Sequence, residues 1–98
     1  MDKTFDWSSE KNKVLIKERD ISFESAIAAI ESGNLLEIVK GKGGFGHQQQ
    51  FIVLIRHYVY VVPFVEDETK VFLKTIIPSR KMTRRYLSGG GGYEVQTR

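Results

Sequence analysis

The order of hydrophobic patterns limits the fold of this chain more than any other feature, because helical patterns come first and strand patterns follow. Apolar residues between Phe23 and Ile30 form one stripe at helical spacing, which Ser22 can cap and Gly33 follows. A more polar helix is expected over residues 9–18. One strand, two helices, four strands and a final helix are typical of an α+β domain rather than of alternating α/β units.

The expected strands are short segments rich in β-branched and aromatic residues. They are Thr4–Trp7, Leu35–Lys40, Phe51–Ile55, Tyr58–Val65 and Lys70–Ile77. Pro63 predicts an irregularity, since proline cannot complete a ladder. The strands after residue 50 are apolar on both faces, which a sheet solvated on one side would not be. We therefore expect helices on one face and, on part of the other, either the C-terminal segment or a second protein.

The last part of the chain is predicted to be a short helix, Ser79–Leu87, followed by a glycine-rich tail. Met82 and Tyr86 are spaced to pack together, whereas the basic residues of this helix fall mainly on another side. The run of serine and glycine after Leu87 is a flexible composition. We expect a single domain over residues 1–87 and a flexible tail over residues 88–98.

Composition excludes several classes of protein. The 98 residues contain no cysteine and two histidines, which excludes a disulfide scaffold and a thiol nucleophile and disfavours a metal site. The longest apolar runs are far shorter than a membrane span, and the polar N-terminus is unlike a signal peptide. The predicted location is therefore the cytoplasm, with no membrane association.

Positive charge is concentrated at the end of the chain. Residues 1–68 hold eight Lys/Arg against eleven Asp/Glu, and residues 69–98 hold seven against one. A basic end on a weakly acidic body favours an anionic partner, with nucleic acid first. A solvated charged segment is the alternative interpretation.

Two motifs resemble a known family. Ile21–Glu24 opens a helix after a basic helix end, and Ile76–Tyr86 combines a strand end with a run of basic residues. Together they resemble the BrnT toxins of type II toxin–antitoxin systems. The resemblance implies a RelE-like α+β fold, in which two N-terminal helices pack on an antiparallel four- to five-stranded sheet and a short C-terminal helix follows.

The same resemblance implies a function and partners. The chain would be a metal-independent endoribonuclease that cleaves RNA and inhibits translation, with no cofactor and no metal. A ribbon-helix-helix antitoxin would neutralise it and would provide the only contact with operator DNA, in a toxin–antitoxin heterotetramer; a homodimer is the other expected assembly. The alternative is a non-catalytic module that binds RNA, or that binds the antitoxin as a co-repressor.

Metal-free RNA cleavage needs groups that move protons and cations that stabilise the phosphate. Arginine binds two phosphate oxygens at once, and a helix N-terminus also attracts phosphate. The expected catalytic residues are Arg80, Lys81, Lys74 and His47. His57 is expected at an exposed hairpin tip, away from the basic end.

Further residues are candidates for RNA binding. Alternation along the last strand predicts one face shared by Lys70, Phe72, Lys74 and Ile76, a row that could bind RNA by charge and base stacking. The expected RNA-binding residues are Lys17, Arg19, Lys70, Phe72, Arg84 and Tyr60. Each has a structural alternative: lysines can protect a sheet edge, cations are favourable at a helix C-terminus, and tyrosines pack in cores.

Overall fold

The computed structural model describes residues 3–40 and 49–87. His47 and the predicted tail over residues 88–98 lie outside the described residues. The elements in chain order are β1 (Thr4–Trp7), α1 (Ser9–Arg19), α2 (Phe23–Glu31), β2 (Leu35–Lys40), β3 (Gln49–Ile55), β4 (Tyr58–Glu66), β5 (Lys70–Leu73), β6 (Ile77–Pro78) and α3 (Arg80–Leu87). The α+β class is confirmed. Among the described residues, no helix combines the length and the apolar character needed to cross a membrane.

The sheet is mixed, and it has six strands in the described part of the chain. Its order is β1-β5-β4-β3-β2, and β6 pairs with β4 beyond the end of β5. β1 runs parallel to β5, with Phe5 opposite Val71, and the other pairs are antiparallel. The expected antiparallel sheet of four to five strands is therefore wrong in both respects. Residue patterns identify strands, whereas the direction of a pairing depends on how the two helices return the chain to the sheet.

The last predicted strand, Lys70–Ile77, is interrupted opposite Pro63. The Pro63 carbonyl accepts the Lys74 N–H at 2.8 Å, but proline has no N–H to donate in return. The chain leaves the ladder over residues 74–76 and pairs with β4 again at β6. Ile76 turns into the main core and is fully buried, so the prediction that it shares a face with Lys74 is wrong. The irregularity that Pro63 predicted lies in the neighbouring strand.

The main core lies between the sheet and helices α1 and α2, on what we call the α1/α2 face. Phe23 of α2 is fully buried and stacks on Trp7 of β1, with ring centroids 5.9 Å apart. The buried members of this core are Leu15, Ile21, Phe23, Ala26, Ala29, Phe51, Val53, Ile55, Val62, Phe64, Val71, Leu73 and Ile76. The apolar stripe predicted from the sequence of α2 supplies its side of this interface.

Asn12 joins the two helices. This α1 side chain is buried, its Oδ1 accepts the backbone N–H of Phe23 at 2.8 Å, and its Nδ2 donates to Glu24 at 2.8 Å. The first N–H groups of a helix have no partner within the helix, so Asn12 satisfies one of them for α2. Its hydrogen bond to the carboxylate is the main reason that the pKa of Glu24 lies below its ordinary value.

The opposite side of the sheet, the α3 face, is partly covered. Ile52 and Val59 lie on this face and are almost completely buried, because α3 crosses above them. Phe72 and Ile77 lie on the same face beyond α3, and their side chains are exposed. The expectation of apolar strands on both faces is confirmed, and the C-terminal helix covers part of the second face.

Candidate nucleic-acid interface

Hydrogen bonds to β4 hold the beginning of α3. The Ser79 N–H donates to the Val59 carbonyl at 3.0 Å, and the Val59 N–H donates to Thr83 Oγ1 at 2.9 Å. Ser79 Oγ accepts the Met82 N–H at 3.1 Å, which is the predicted helix cap. The first two turns of α3 are therefore attached to the strand that they follow in space.

The other end of α3 reaches the far edge of the sheet. The Tyr86 hydroxyl donates a hydrogen bond to the carboxylate of Glu37, which lies in β2 on the α3 face. This bond, followed by burial, raises the pKa of Tyr86 above its ordinary value, because both favour the neutral phenol. The helix thus crosses the α3 face from β6, over β4 and β3, to β2.

The outer side of α3 carries a cation stripe, defined as Arg80, Lys81, Arg84 and Arg85. These four side chains are exposed, and their spacing places them on the side of the helix opposite Thr83 and Tyr86. This matches the expected separation of basic and packing residues in the last helix. Because the stripe begins at the helix N-terminus, the helix dipole adds to its attraction for anions near Arg80.

Arg19 joins α1 to the segment that precedes α3. Its Nη1 donates to the Ile76 carbonyl at 2.7 Å, three residues before Ser79. Lys17 lies exposed in the last turn of the same helix. The structure therefore brings Arg19 beside the chain that leads into the cation stripe, as expected for residues that bind one anion.

Lys70 and Phe72 form a second region, at the other end of the α3 face. Lys70 Nζ lies 3.8 Å from an Asp6 carboxylate oxygen, and Phe72 borders a groove of about 220 Å³. Glu66 and Asp67 line the same groove, so its charge is mixed. Backbone N–H groups of Thr69 and Lys70 hold the pKa of Asp67 below its ordinary value, which keeps this region partly anionic.

Two predicted residues take positions that the strand pattern did not separate. Lys74 is exposed between the two regions, opposite Pro63. Tyr60 lies on the α1/α2 face, where it packs against the main core and makes an edge contact with Tyr58 at 5.7 Å. Tyr60 and Phe72 therefore face opposite sides of the sheet, and one RNA strand cannot stack on both. A position of His47, outside the described residues, is not part of this geometry.

The β3–β4 hairpin tip, Arg56-His57, corrects one expectation. Val59 bonds to Ser79, so the tip lies at the same end of the sheet as the beginning of α3 and not away from the basic end. The Arg56 guanidinium also contacts the carboxylate and the carbonyl of Asp20, the residue after Arg19. Cationic groups from α1, the hairpin and α3 thus meet at one end of the molecule, which we call the basic end.

Sequence reasoning missed Glu37 and Arg85 as members of this surface. Glu37 comes from a strand 49 residues before Tyr86, and no spacing rule relates the two. Arg85 acts electrostatically on the Tyr86 hydroxyl and lowers its pKa slightly against the two larger effects. Over residues 3–40 and 49–87, no group of three or more His, Asp or Glu side chains is arranged to hold a metal ion.

Comparisons with known proteins add no name to this site. The chain matches no model of a protein family, and no curated protein matches it. The functional argument below therefore uses the geometry of the cation stripe, the residues around it and the resemblance of the two sequence motifs.

Proposed function

We propose that this chain is a RelE-like endoribonuclease similar to BrnT toxins, and that RNA binds along α3. The cation stripe carries the proposal: four exposed basic side chains lie on one side of a helix that is attached to the sheet at both ends. A fixed row of cations suits the phosphates of a single strand, because little side-chain and backbone order is lost on binding.

The architecture supports a RelE-like arrangement. Two N-terminal helices cover one face of the sheet, and a short C-terminal helix follows the last strand, as the BrnT resemblance implies. The sheet is mixed rather than antiparallel, and β6 is an additional short strand. Both differences lie outside α3 and leave its position on the sheet unchanged.

The proposed reaction is attack of a ribose 2′-hydroxyl on the adjacent phosphorus. A base removes the hydroxyl proton, the new P–O bond forms, and the bond to the 5′-oxygen breaks as that oxygen gains a proton. Arg80 and Lys81 hold phosphate oxygens at the N-terminus of α3. Glu37 accepts the proton, and Tyr86, whose hydroxyl it holds, positions that carboxylate next to Arg85. Lys74 and Arg19 approach from the β5–β6 connection.

Partners follow from the same proposal. The uncovered part of the α3 face, with Phe72 and Ile77 exposed, suits a protein partner such as a ribbon-helix-helix antitoxin. Operator DNA would be contacted only through that antitoxin. This apolar patch also supports the alternative function, a module that binds RNA or an antitoxin without catalysis, since the patch requires no reaction.

Cleavage of labelled single-stranded RNA by the purified chain tests the proposal. Products should carry 2′,3′-cyclic phosphate and 5′-hydroxyl ends, form equally in the presence of EDTA, and be absent with DNA of the same sequence. Arg80→Ala should reduce cleavage at least about tenfold, since one charge-assisted phosphate contact is lost. Expression of the chain should arrest cell growth, and the same substitution should relieve the arrest.

Matched variants separate the two functions. Lys11→Ala removes an exposed cation from the first half of α1 and should leave RNA binding and cleavage unchanged. Glu37→Gln should abolish cleavage while RNA binding remains. Well-folded protein that binds RNA with a steep salt dependence but cuts none would support the non-catalytic module. Protein that neither binds nor cuts RNA would overturn both.

A further inference from the structure

The hairpin tip has a backbone conformation that its residues disfavour. The loop between Ile55 and Tyr58 has two residues, Arg56 with φ of 51° and His57 with φ of 67°. Positive φ at both positions defines the mirror-image turn that joins β-strands well, and this turn strongly prefers Asn-Gly or Asp-Gly. An arginine and a histidine in the left-handed region are strained, because the Cβ approaches the backbone. Packing does not explain the choice, since both side chains are exposed.

Arg56 has a structural role that explains its side chain. Its guanidinium contacts the carbonyl and the carboxylate of Asp20, which itself has a positive φ of 56° at the end of α1. This contact holds the hairpin tip against the α1–α2 junction, beside a groove of about 370 Å³. Arg56 is thus a positioning residue, and part of its charge is balanced by Asp20.

His57 has no such explanation. Within residues 3–40 and 49–87 it makes no hydrogen bond or ion pair, and its side chain points into solvent at the basic end. Val59, two residues along β4, bonds both Ser79 and Thr83, so His57 lies next to the N-terminal turn of α3. An imidazole there can donate a hydrogen bond to a phosphate, and it carries positive charge when protonated.

We propose that His57 is an RNA-contact residue that extends the cation stripe beyond Arg80, and that the strained turn is kept because it presents this imidazole. The proposal rests on the function proposed above and adds one specific contact. A single strand held by the stripe would pass from Tyr86 toward Arg80 and leave α3 at the hairpin tip. The eight residues of α3 span only about 12 Å, so a strand of several nucleotides needs further contacts past the helix end.

Substitution by the residue that the turn prefers provides the test. His57→Gly relaxes the backbone and removes the imidazole, so its melting temperature should equal or exceed that of the parent chain. The probe is a single-stranded oligonucleotide with 2′-deoxy sugars, which binds but has no 2′-hydroxyl to react. Affinity for it should fall roughly tenfold, and the slope of log K against log salt should decrease by up to about 1. His57→Lys should restore most of the affinity, because it returns a cation to the same position.

Two further variants distinguish this proposal from the proposed function. Arg80→Ala should weaken binding in any case in which α3 holds RNA, and Lys11→Ala should not. If Arg80→Ala weakens binding while His57→Gly binds like the parent chain, the proposed function stands and the role of His57 is overturned. If the parent chain does not bind the oligonucleotide, the proposed function fails and the contact fails with it. A more stable His57→Gly protein with weaker binding would establish both.

Discussion

The two faces of the sheet differ in how completely helices cover them. On the α1/α2 face, two helices bury a continuous core, and the buried polar group Asn12 has hydrogen-bond partners on both its side-chain atoms. On the α3 face, one helix of eight residues covers Ile52 and Val59 and leaves Phe72 exposed. The first face accounts for most of the stability of the fold, and the second has exposed cations and apolar side chains available for binding.

This difference explains why the functional proposals concern one face only. Burial of apolar area is the main source of folding stability, and the α1/α2 face has little exposed area left to offer a partner. The α3 face combines a helix attached at both ends with an uncovered part of the sheet. Substitutions that treat the two faces alike should therefore have unequal effects on stability.

The largest expected effect compares two phenylalanines. Phe23→Ala should destabilise the protein by about 3–5 kcal/mol, because a fully buried ring leaves a cavity beside Trp7. Phe72→Ala, on the α3 face, should cost about 1 kcal/mol or less, since its side chain is already partly in water. Urea unfolding of both variants measures the difference. Equal losses would contradict the description of the α3 face as incompletely covered.

An intermediate effect is expected at Asn12. Asn12→Ala leaves the Phe23 N–H and the Glu24 carboxylate without their partner and should destabilise the protein by about 1–3 kcal/mol. Lys13→Ala, at an exposed position next to it, should change stability by less than about 0.5 kcal/mol. The same denaturant titrations compare the two variants. A loss at Asn12 no larger than at Lys13 would mean that the hydrogen bonds do not stabilise the junction of α1 and α2.

The smallest effect concerns the attachment of α3. Tyr86→Phe removes the hydrogen bond to Glu37 and should cost about 0.5–1.5 kcal/mol, with faster amide exchange in the last turns of α3 and unchanged exchange in α2. Tyr58→Phe is the control, because its ring makes the edge contact with Tyr60 on the other face. Uniform exchange in both helices after Tyr86→Phe would show that α3 does not open separately.

The same bond predicts an alkaline pH dependence. The folded pKa of Tyr86 is raised above the unfolded value, so its contribution is fully present below about pH 10 and is lost as the pH rises through the folded pKa. Ultraviolet titration of the tyrosines should therefore show that the last one to ionise disappears in Tyr86→Phe. Persistence of that step would assign it to another tyrosine.

Much of the fold could be predicted because local patterns decide it. Ser22 and the apolar stripe after it identified α2, and Ser79 identified the beginning of α3. The alternation rule failed at Ile76, because it assumes an unbroken strand and the missing N–H of Pro63 interrupts the neighbouring ladder. The position of His57 was also wrong, since the nearness of the hairpin tip to α3 depends on a bond between Val59 and Ser79.

The amino-acid sequence by itself determined the α+β class, the order of the elements and the concentration of positive charge in the last third of the chain. Hydrophobic period, capping residues and charge counts are properties of neighbours along the chain, which is why they could be predicted. Only the tertiary structure decided that β1 runs parallel to β5, that α3 lies across the sheet to Glu37, and that Arg19, His57 and Arg80 share one end. Those arrangements arise from contacts between distant segments, whose energies depend on the packing of the whole domain.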